Sequence, residues 1–84
     1  MSTPRIGNLM KTIYKERYQQ LLMLLVEARK TAGLTQAQVS ALLDRPQSFI
    51  AKVENGDRRL DVIEFMVLCQ ALGQSPENII TRIS

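Results

Sequence analysis

The sequence predicts an all-α protein in which five helices surround one aliphatic core. Apolar residues recur at spacings of three and four along most of the chain, a pattern typical of helices that bury one face. Hydrophobic residues make up 45% of the 84, yet Phe and Tyr occur only twice each and Trp is absent, which favours packed helices over an aromatic-rich sheet. No segment has the alternating pattern of a strand, and the length suits one domain.

Glycine and proline residues divide the chain into the predicted helices. A flexible N-terminal arm is expected at residues 1–11 because it contains Pro4, Gly7 and Asn8, and it is followed by the helical domain at residues 12–84. The first helix is predicted to end before Gly33, since Gly is common just past a helix C-terminus. The five predicted helices cover residues 12–32, 36–43, 47–54, 62–72 and 76–83.

Polar residues at the expected helix starts support these boundaries. Thr35 and Gln38 fit a capping box at the start of the second helix, in which each side chain satisfies a backbone N–H. Asp61 is the expected N-cap of the fourth helix. Ser75 followed by Pro76 is typical of the start of the fifth.

Composition excludes several classes of function. With one Cys an internal disulfide is impossible, and without His the chain lacks the commonest general base and a common metal ligand. No cluster of carboxylates suggests catalysis, so we expect no enzymatic activity, metal or cofactor. The longest apolar run, residues 21–26, is far shorter than the ~20 residues that span a membrane, and no apolar secretion signal is recognisable. A cytoplasmic location is expected.

The net charge of +3 leans towards a nucleic-acid partner. The basic excess lies in residues 1–32, whereas residues 61–84 are acidic overall, so the C-terminal end is the poorer candidate for contact with phosphates. Many proteins with no such partner carry a similar charge, and function has to be inferred from local motifs.

Residues 36–55 form the most informative segment. Two short helices are joined there by a turn too brief for antiparallel packing, so the helices must cross at a wide angle. Apolar residues of both helices are predicted to hold this crossing from the inside: Val39, Leu43, Ile50 and Val53. The outer face of the second short helix carries Gln47, Ser48 and Lys52, whose side chains suit contact with base edges and phosphates in a major groove.

Three groups of residues, at matching spacing, carry a resemblance to a known family. They are Ala28-Arg29-Lys30 with Gly33-Leu34-Thr35-Gln36, Pro46-Gln47-Ser48-Phe49-Ile50 with Lys52-Val53-Glu54-Asn55-Gly56, and Arg58-Arg59-Leu60 with Ala71-Leu72-Gly73. On these residues the chain resembles the phage repressor and Cro-type helix-turn-helix family, often called the XRE family. The resemblance runs from about Tyr18 to Ile83 and implies a lambda-repressor-like fold of five helices that binds double-stranded DNA.

The resemblance also implies individual roles in DNA binding. Gln47 and Ser48, which open the recognition helix at about residues 47–54, would read bases, and a Gln amide suits adenine. Gln36 would contact a phosphate, and Lys52 a base or a phosphate. The residues implied to anchor the DNA backbone flank the recognition helix: Arg45, Asn55, Arg58 and Arg59.

Several of these residues have a structural alternative. Gln47 and Ser48 would only cap the third helix, and Lys52 would be a solvated lysine. Phe49 would either pack into the core or touch a thymine methyl group or a sugar. Arg59 would contact a phosphate or form a salt bridge with an acidic neighbour.

Three further residues are interpreted as structural. Arg29 and Glu54 fall on inward-leaning faces, and the resemblance implies a partly buried ion pair between them. Breaking such a pair leaves an uncompensated charge, which harms folding more than DNA binding. Cys69 is expected to be a small core residue.

Three positions depart from the family's pattern. Asp44 stands in the turn where Gly is usual, and Asp tolerates a left-handed backbone at some cost. Ser40 replaces the usual Ala at the close approach of the two helices. Gln74 stands where an apolar residue is common. None of these is an expected reading residue, so DNA binding remains the expectation.

Some apolar residues lie off the main helical stripes: Met23 and Val26 on the first helix, Ile63 and Val67 on the fourth. Either the N-terminal arm, with Ile6, Leu9 and Met10, covers one pair, or these residues form an interface. We expect a homodimer built from the last helices or from these faces. A two-fold dimer places two recognition helices about 34 Å apart, which is one turn of DNA.

The sequence thus predicts a sequence-specific DNA-binding regulator, most simply a repressor. The alternative is a protein-interaction module that uses the same fold, as an antitoxin-like neutraliser or a co-regulator. The unassigned apolar residues and the acidic C-terminal end motivate that alternative, in which the partner is a toxin or another regulator.

Overall fold

A computed structural model describes residues 6–83 of the chain, with side chains from Met10 onward. All of the regular secondary structure within them is helical, so the predicted all-α fold with five helices is confirmed. The helices are α1 (Ile6–Thr31), α2 (Gln36–Leu42), α3 (Phe49–Glu54), α4 (Val62–Ala71) and α5 (Pro76–Ile83). None of them is long and apolar enough to cross a membrane.

The first helix begins earlier than the sequence analysis expects. α1 has 26 residues and so is about 39 Å long, and it includes residues 6–11 of the expected arm. Gly7 and Asn8 fall in its first turn, where a weak helix former interrupts few intrahelical bonds. Residues 1–5 of that arm lie outside the described part of the chain.

The long α1 changes the expectation for the apolar residues near the N-terminus. Met10 and Met23 lie on the same continuous helix, so the segment around Met10 cannot fold back over Met23 and Val26. Met10 and Met23 are both exposed. The radius of gyration of 14.6 Å exceeds the roughly 12 Å of a compact chain of this length, because α1 extends past the other helices.

The core lies where the five helices meet, and each of them contributes at least one buried residue. It is mostly aliphatic, and its buried residues are Leu25, Ala28, Val39, Phe49, Ile50, Val53, Phe65, Leu68, Cys69, Leu72 and Ile79. Cys69 is fully buried among them, as predicted for a small core residue. Burial raises the pKa of its thiol to about 11.

The predicted capping residues fix the starts of α2, α4 and α5. The Thr35 side chain accepts a hydrogen bond from the Gln38 N–H, and the Thr35 N–H donates to Gln38 Oε1, which confirms the capping box. Asp61 and Glu64 form a second capping box at α4. The Ser75 hydroxyl accepts a longer bond from the N–H of residue 78 at 3.4 Å.

The α2–α3 turn depends on one left-handed residue. Asp44 has a φ of +54°, so the sequence expectation that Asp adopts the conformation usually left to Gly is confirmed. The Asp44 N–H donates to the Ala41 carbonyl at 3.0 Å, and the Arg45 N–H donates to the Ser40 carbonyl at 3.0 Å. These bonds satisfy carbonyls at the end of α2 and turn the chain towards α3 within a few residues.

The third helix is shorter than expected, because α3 begins at Phe49 and not at residue 47. The Phe49 N–H donates to the Pro46 carbonyl at 2.9 Å, so Gln47 and Ser48 lie in a tight turn that leads into the helix. Tight turns of this kind often precede α-helices, so the turn and the helix together cover the predicted residues 47–54.

Candidate nucleic-acid interface

α2 and α3 pack against each other through buried side chains. Val39, Ile50 and Val53 are almost completely buried at this crossing. The hydroxyl of Ser40, also fully buried, accepts a hydrogen bond from the Ile50 N–H at 3.1 Å. The first N–H groups of a helix have no intrahelical partner, so Ser40 in effect caps α3 from the neighbouring helix. This hydrogen bond helps to fix the orientation of α3 relative to α2.

The expected reading residues lie on the outside of this rigid unit. Gln47, Ser48 and Lys52 are all exposed. Ser48 is the N-cap residue of α3, but its side chain makes no capping hydrogen bond. The alternative in which Ser48 serves only as a cap therefore has no support from its contacts. Asn55 is also exposed, and it forms the C-cap of α3.

Phe49 is buried with only 7% of its surface exposed, which favours the packing role over contact with DNA. Its ring also receives two cations. The Arg45 guanidinium carbon lies 5.0 Å from the ring centroid, and the Arg58 guanidinium carbon lies 5.3 Å from it. Distances of this size fit cation–π contact. Phe49 thus packs into the core and contacts two arginines. Its ring has little exposed surface left for contact with a thymine methyl group.

Glu64 joins the same two arginines from the start of α4. Its Oε2 accepts hydrogen bonds from Arg58 at 2.7 Å and from Arg45 at 3.0 Å. Its Oε1 accepts from Arg58 at 3.0 Å, so the Arg58–Glu64 pair is bidentate. Arg58 also donates to the Arg59 carbonyl. The hydrogen bonds with Arg58, followed by that with the Asp61 N–H, hold the pKa of Glu64 below its usual value. The bond to Glu64 raises the pKa of Arg58.

Arg29 and Glu54 lie where the sequence analysis expects them to pair. Arg29 Nε donates to Glu54 Oε2 at 2.6 Å, and a second guanidinium nitrogen donates to Oε1 at 3.1 Å. Arg29 also donates to the Leu34 carbonyl at 2.9 Å. Only 12% and 10% of the two side chains are exposed, so the pair lies largely inside the fold.

Gln36 is tied to this ion pair. Its side-chain amide donates to Glu54 Oε1 at 2.8 Å, and the residue is half-buried at the start of α2. In this structure the Gln36 amide therefore bonds to Glu54, and the phosphate contact that the resemblance implies stays a prediction.

Arg59 forms no salt bridge with an acidic side chain among residues 10–83, and its contact with a phosphate stays a prediction. Its guanidinium carbon lies 4.9 Å from the centroid of the Tyr14 ring. Tyr14 stacks on Tyr18 with ring centroids 5.5 Å apart, and the Tyr18 hydroxyl accepts a hydrogen bond from the Leu60 N–H at 3.4 Å. The loop after α3 is thus attached to α1. Tyrosines four residues apart on one helix face were the available sequence signal.

The residues that sequence reasoning missed are the partners of the arginines and not the arginines themselves. Asp61 and Glu64 have capping-box spacing, so the place of Glu64 at the start of α4 could have been found. Its contact with Arg45 joins residues 19 apart in sequence and had no local signal. Among residues 6–83, no group of three or more potential ligands could hold a metal ion.

Comparison with known proteins identifies this arrangement. The helix-turn-helix family model matches residues 25–79, well over half of the chain. No curated protein matches. Among solved structures, an XRE-family like protein from Pseudomonas syringae pv. tomato str. DC3000 is 53% identical and superposes with a TM-score of 0.86. The match covers 90% of this chain and 93% of that one. The chain therefore belongs to the XRE family of DNA-binding helix-turn-helix regulators.

Proposed function

We propose that the protein is a sequence-specific transcriptional repressor that reads the major groove with α3 and the turn before it. The observation that carries the proposal is the exposure of Gln47 and Ser48 in the turn before α3 and of Lys52 on α3, whose other face packs into the core. A rigid support matters because direct readout of bases needs side chains held at a defined position and angle.

The cationic residues around α3 support the same proposal. Arg45 precedes the helix and Arg58 follows it, and about 40% of each side chain remains exposed. Contacts from such residues to phosphates set the register of a protein on DNA, while residues at the helix start read the bases. Phe49 is left out of the proposed contact set because it is buried.

The test is selection of bound duplexes from a random pool, followed by comparison of the selected duplex with random DNA. Gln47→Ala should lower the preference for the selected duplex by about 1–3 kcal/mol, the usual value of one base contact. Gln70→Ala, which removes an exposed amide from α4, is the matched control. Equal binding of all duplexes by wild type and Gln47→Ala would contradict base reading.

The proposed regulator acts as a homodimer. The observation behind this part is the exposure of large apolar side chains on α1, α4 and α5: Met10, Tyr14, Met23, Val62, Ile63, Met66, Val67 and Ile80. Exposed apolar patches often mark protein interfaces. Sedimentation equilibrium at tens of micromolar should give twice the monomer mass, and a monomer at that concentration would contradict the dimer.

A protein-interaction module remains the second candidate, since the apolar face of α4 would equally suit a toxin or another regulator. Val62 and Ile63 are among the most exposed apolar residues of the described chain. Mixing the purified protein with the products of neighbouring genes separates the two candidates. A stable complex that no longer binds the selected duplex would favour the second, and binding of DNA without any such partner favours the first.

A further inference from the structure

We propose that Glu64 is a positioning residue for DNA binding, which holds Arg45 and Arg58 as one cationic unit beside the recognition helix. The inference rests on the proposed function and names a residue outside the expected contact set. Its basis is geometric: two arginines from opposite ends of α3 meet on one carboxylate and on one aromatic ring.

The convergence of these arginines needs an explanation, because like charges repel. Arg45 lies in the turn before α3, and Arg58 lies in the loop after it. Both nevertheless donate to Glu64 Oε2, at 3.0 Å and 2.7 Å. Both guanidinium groups also lie within 5.3 Å of the centroid of the Phe49 ring. The carboxylate and the ring together offset the repulsion between the two cations.

Glu64 is itself held in place, which a positioning residue requires. Its Oε1 accepts a hydrogen bond from the Asp61 N–H at 3.0 Å, and Asp61 accepts one from the Glu64 N–H at 2.7 Å. Only 13% of the Glu64 side chain is exposed, against 42% for Arg45 and 40% for Arg58. The carboxylate is therefore more buried than the two arginines, whose side chains keep exposed surface for contact with a phosphate.

This arrangement reduces the ordering that binding requires. A free arginine side chain loses rotamer freedom when it contacts a phosphate, and a preorganised one loses less. Because one carboxylate orders both arginines, the contribution of each to DNA affinity should depend on the other. A carboxylate that acted through its charge alone would instead weaken the binding of every duplex and leave the two arginines independent.

The test is a double-mutant cycle on DNA affinity. Arg45→Ala, Arg58→Ala and the double variant are measured in the wild-type and Glu64→Gln backgrounds. The probes are a duplex selected by the wild type and a random duplex. In the wild type, the double variant should lose less affinity than the product of the single losses, by about threefold or more. With Gln at position 64, the single losses should multiply.

Gln at this position can still form the capping box with Asp61, so α4 should keep its start. Thermal unfolding checks that the variant is folded. If it is not, Glu64→Asp serves instead, because the shorter side chain keeps the charge but cannot reach both arginines in the same way. Glu16→Gln, on the exposed face of α1, makes the same change in net charge and should leave the coupling intact.

Three outcomes would overturn the inference. Independent arginines in the wild type would show that they are not a unit. Equal coupling in both backgrounds would show that Glu64 does not create it. A uniform gain of affinity in Glu64→Gln with unchanged coupling would assign the carboxylate an effect of charge alone. If the wild type binds no duplex in preference to random DNA, the proposed function fails as well, whereas the other outcomes leave it standing.

Discussion

The Ser40 hydroxyl accepts a hydrogen bond from the Ile50 N–H at 3.1 Å, at a position where both groups are buried. Ser40 belongs to α2 and Ile50 to the first turn of α3, so a side chain of one helix completes the backbone hydrogen bonding of the other. Ser40 stands where the family usually has Ala. The serine thus replaces a purely steric fit with a directional contact in the helix-turn-helix unit.

We predict that Ser40→Ala lowers the free energy of unfolding by about 1–3 kcal/mol, because the Ile50 N–H loses its acceptor inside the fold. Urea unfolding measures the change. Ser48→Ala is the matched control: Ser48 is exposed and makes no capping bond, so its removal should change stability by less than about 0.5 kcal/mol. Equal effects of the two substitutions would contradict the role of Ser40.

Glu54→Ala should destabilise the fold by about 3 kcal/mol, since it leaves the largely buried Arg29 without its charge partner and also releases Gln36. Chemical denaturation gives the change in unfolding free energy. Replacing both members of the pair, as in Arg29→Met with Glu54→Leu, should restore much of the loss. A loss below about 1 kcal/mol for Glu54→Ala would show that the pair is not structural.

The lowered pKa of Glu64 predicts a loss of stability in acid. A carboxylate whose pKa is lower in the folded state stabilises the fold above its ordinary pKa, and this contribution disappears as pH falls through the folded value. The difference in unfolding free energy between wild type and Glu64→Gln should therefore shrink below about pH 4.5. Unfolding curves from pH 7 to pH 3 measure it. A constant difference would contradict the ionic contacts of Glu64.

Lys52→Ala should reduce the salt dependence of DNA binding. If Lys52 contacts a phosphate, its loss should make the negative slope of log affinity against log salt concentration shallower by about 0.9, for both selected and random duplexes. Titrations at several salt concentrations give the slope. Lys11→Ala, which removes an exposed charge near the start of α1, is the control. An unchanged slope with altered sequence preference would assign Lys52 to a base instead.

The Cys69 thiol should be inert in the folded protein. It is fully buried, and burial raises its pKa to about 11, so little thiolate forms at pH 8. A thiol-reactive reagent should label the native protein at least about 100-fold more slowly than the urea-unfolded chain, because labelling requires an opening of the core. Equal labelling rates in the two states would contradict this placement.

Much of the fold could be predicted because its signals are local. The capping box joins Thr35 and Gln38, which are only three positions apart. The left-handed backbone of Asp44 likewise depends on the short turn in which this residue lies. The predicted start of α1 was wrong because Gly7 and Asn8 are residue types common in turns and loops. A helix tolerates such residues in its first turn, where the N–H groups have no intrahelical partner, and α1 therefore extends to Ile6.

The sequence by itself determined the number and order of the helices and the capping residues of α2 and α4, since helix periodicity and capping act over a few residues. Only the tertiary structure decided what those residues touch. Arg45 and Glu64 are 19 positions apart, and Tyr18 and Leu60 are 42 apart. Such contacts depend on how the helices cross, and that crossing is set by the joint packing of the whole core and not by any one segment.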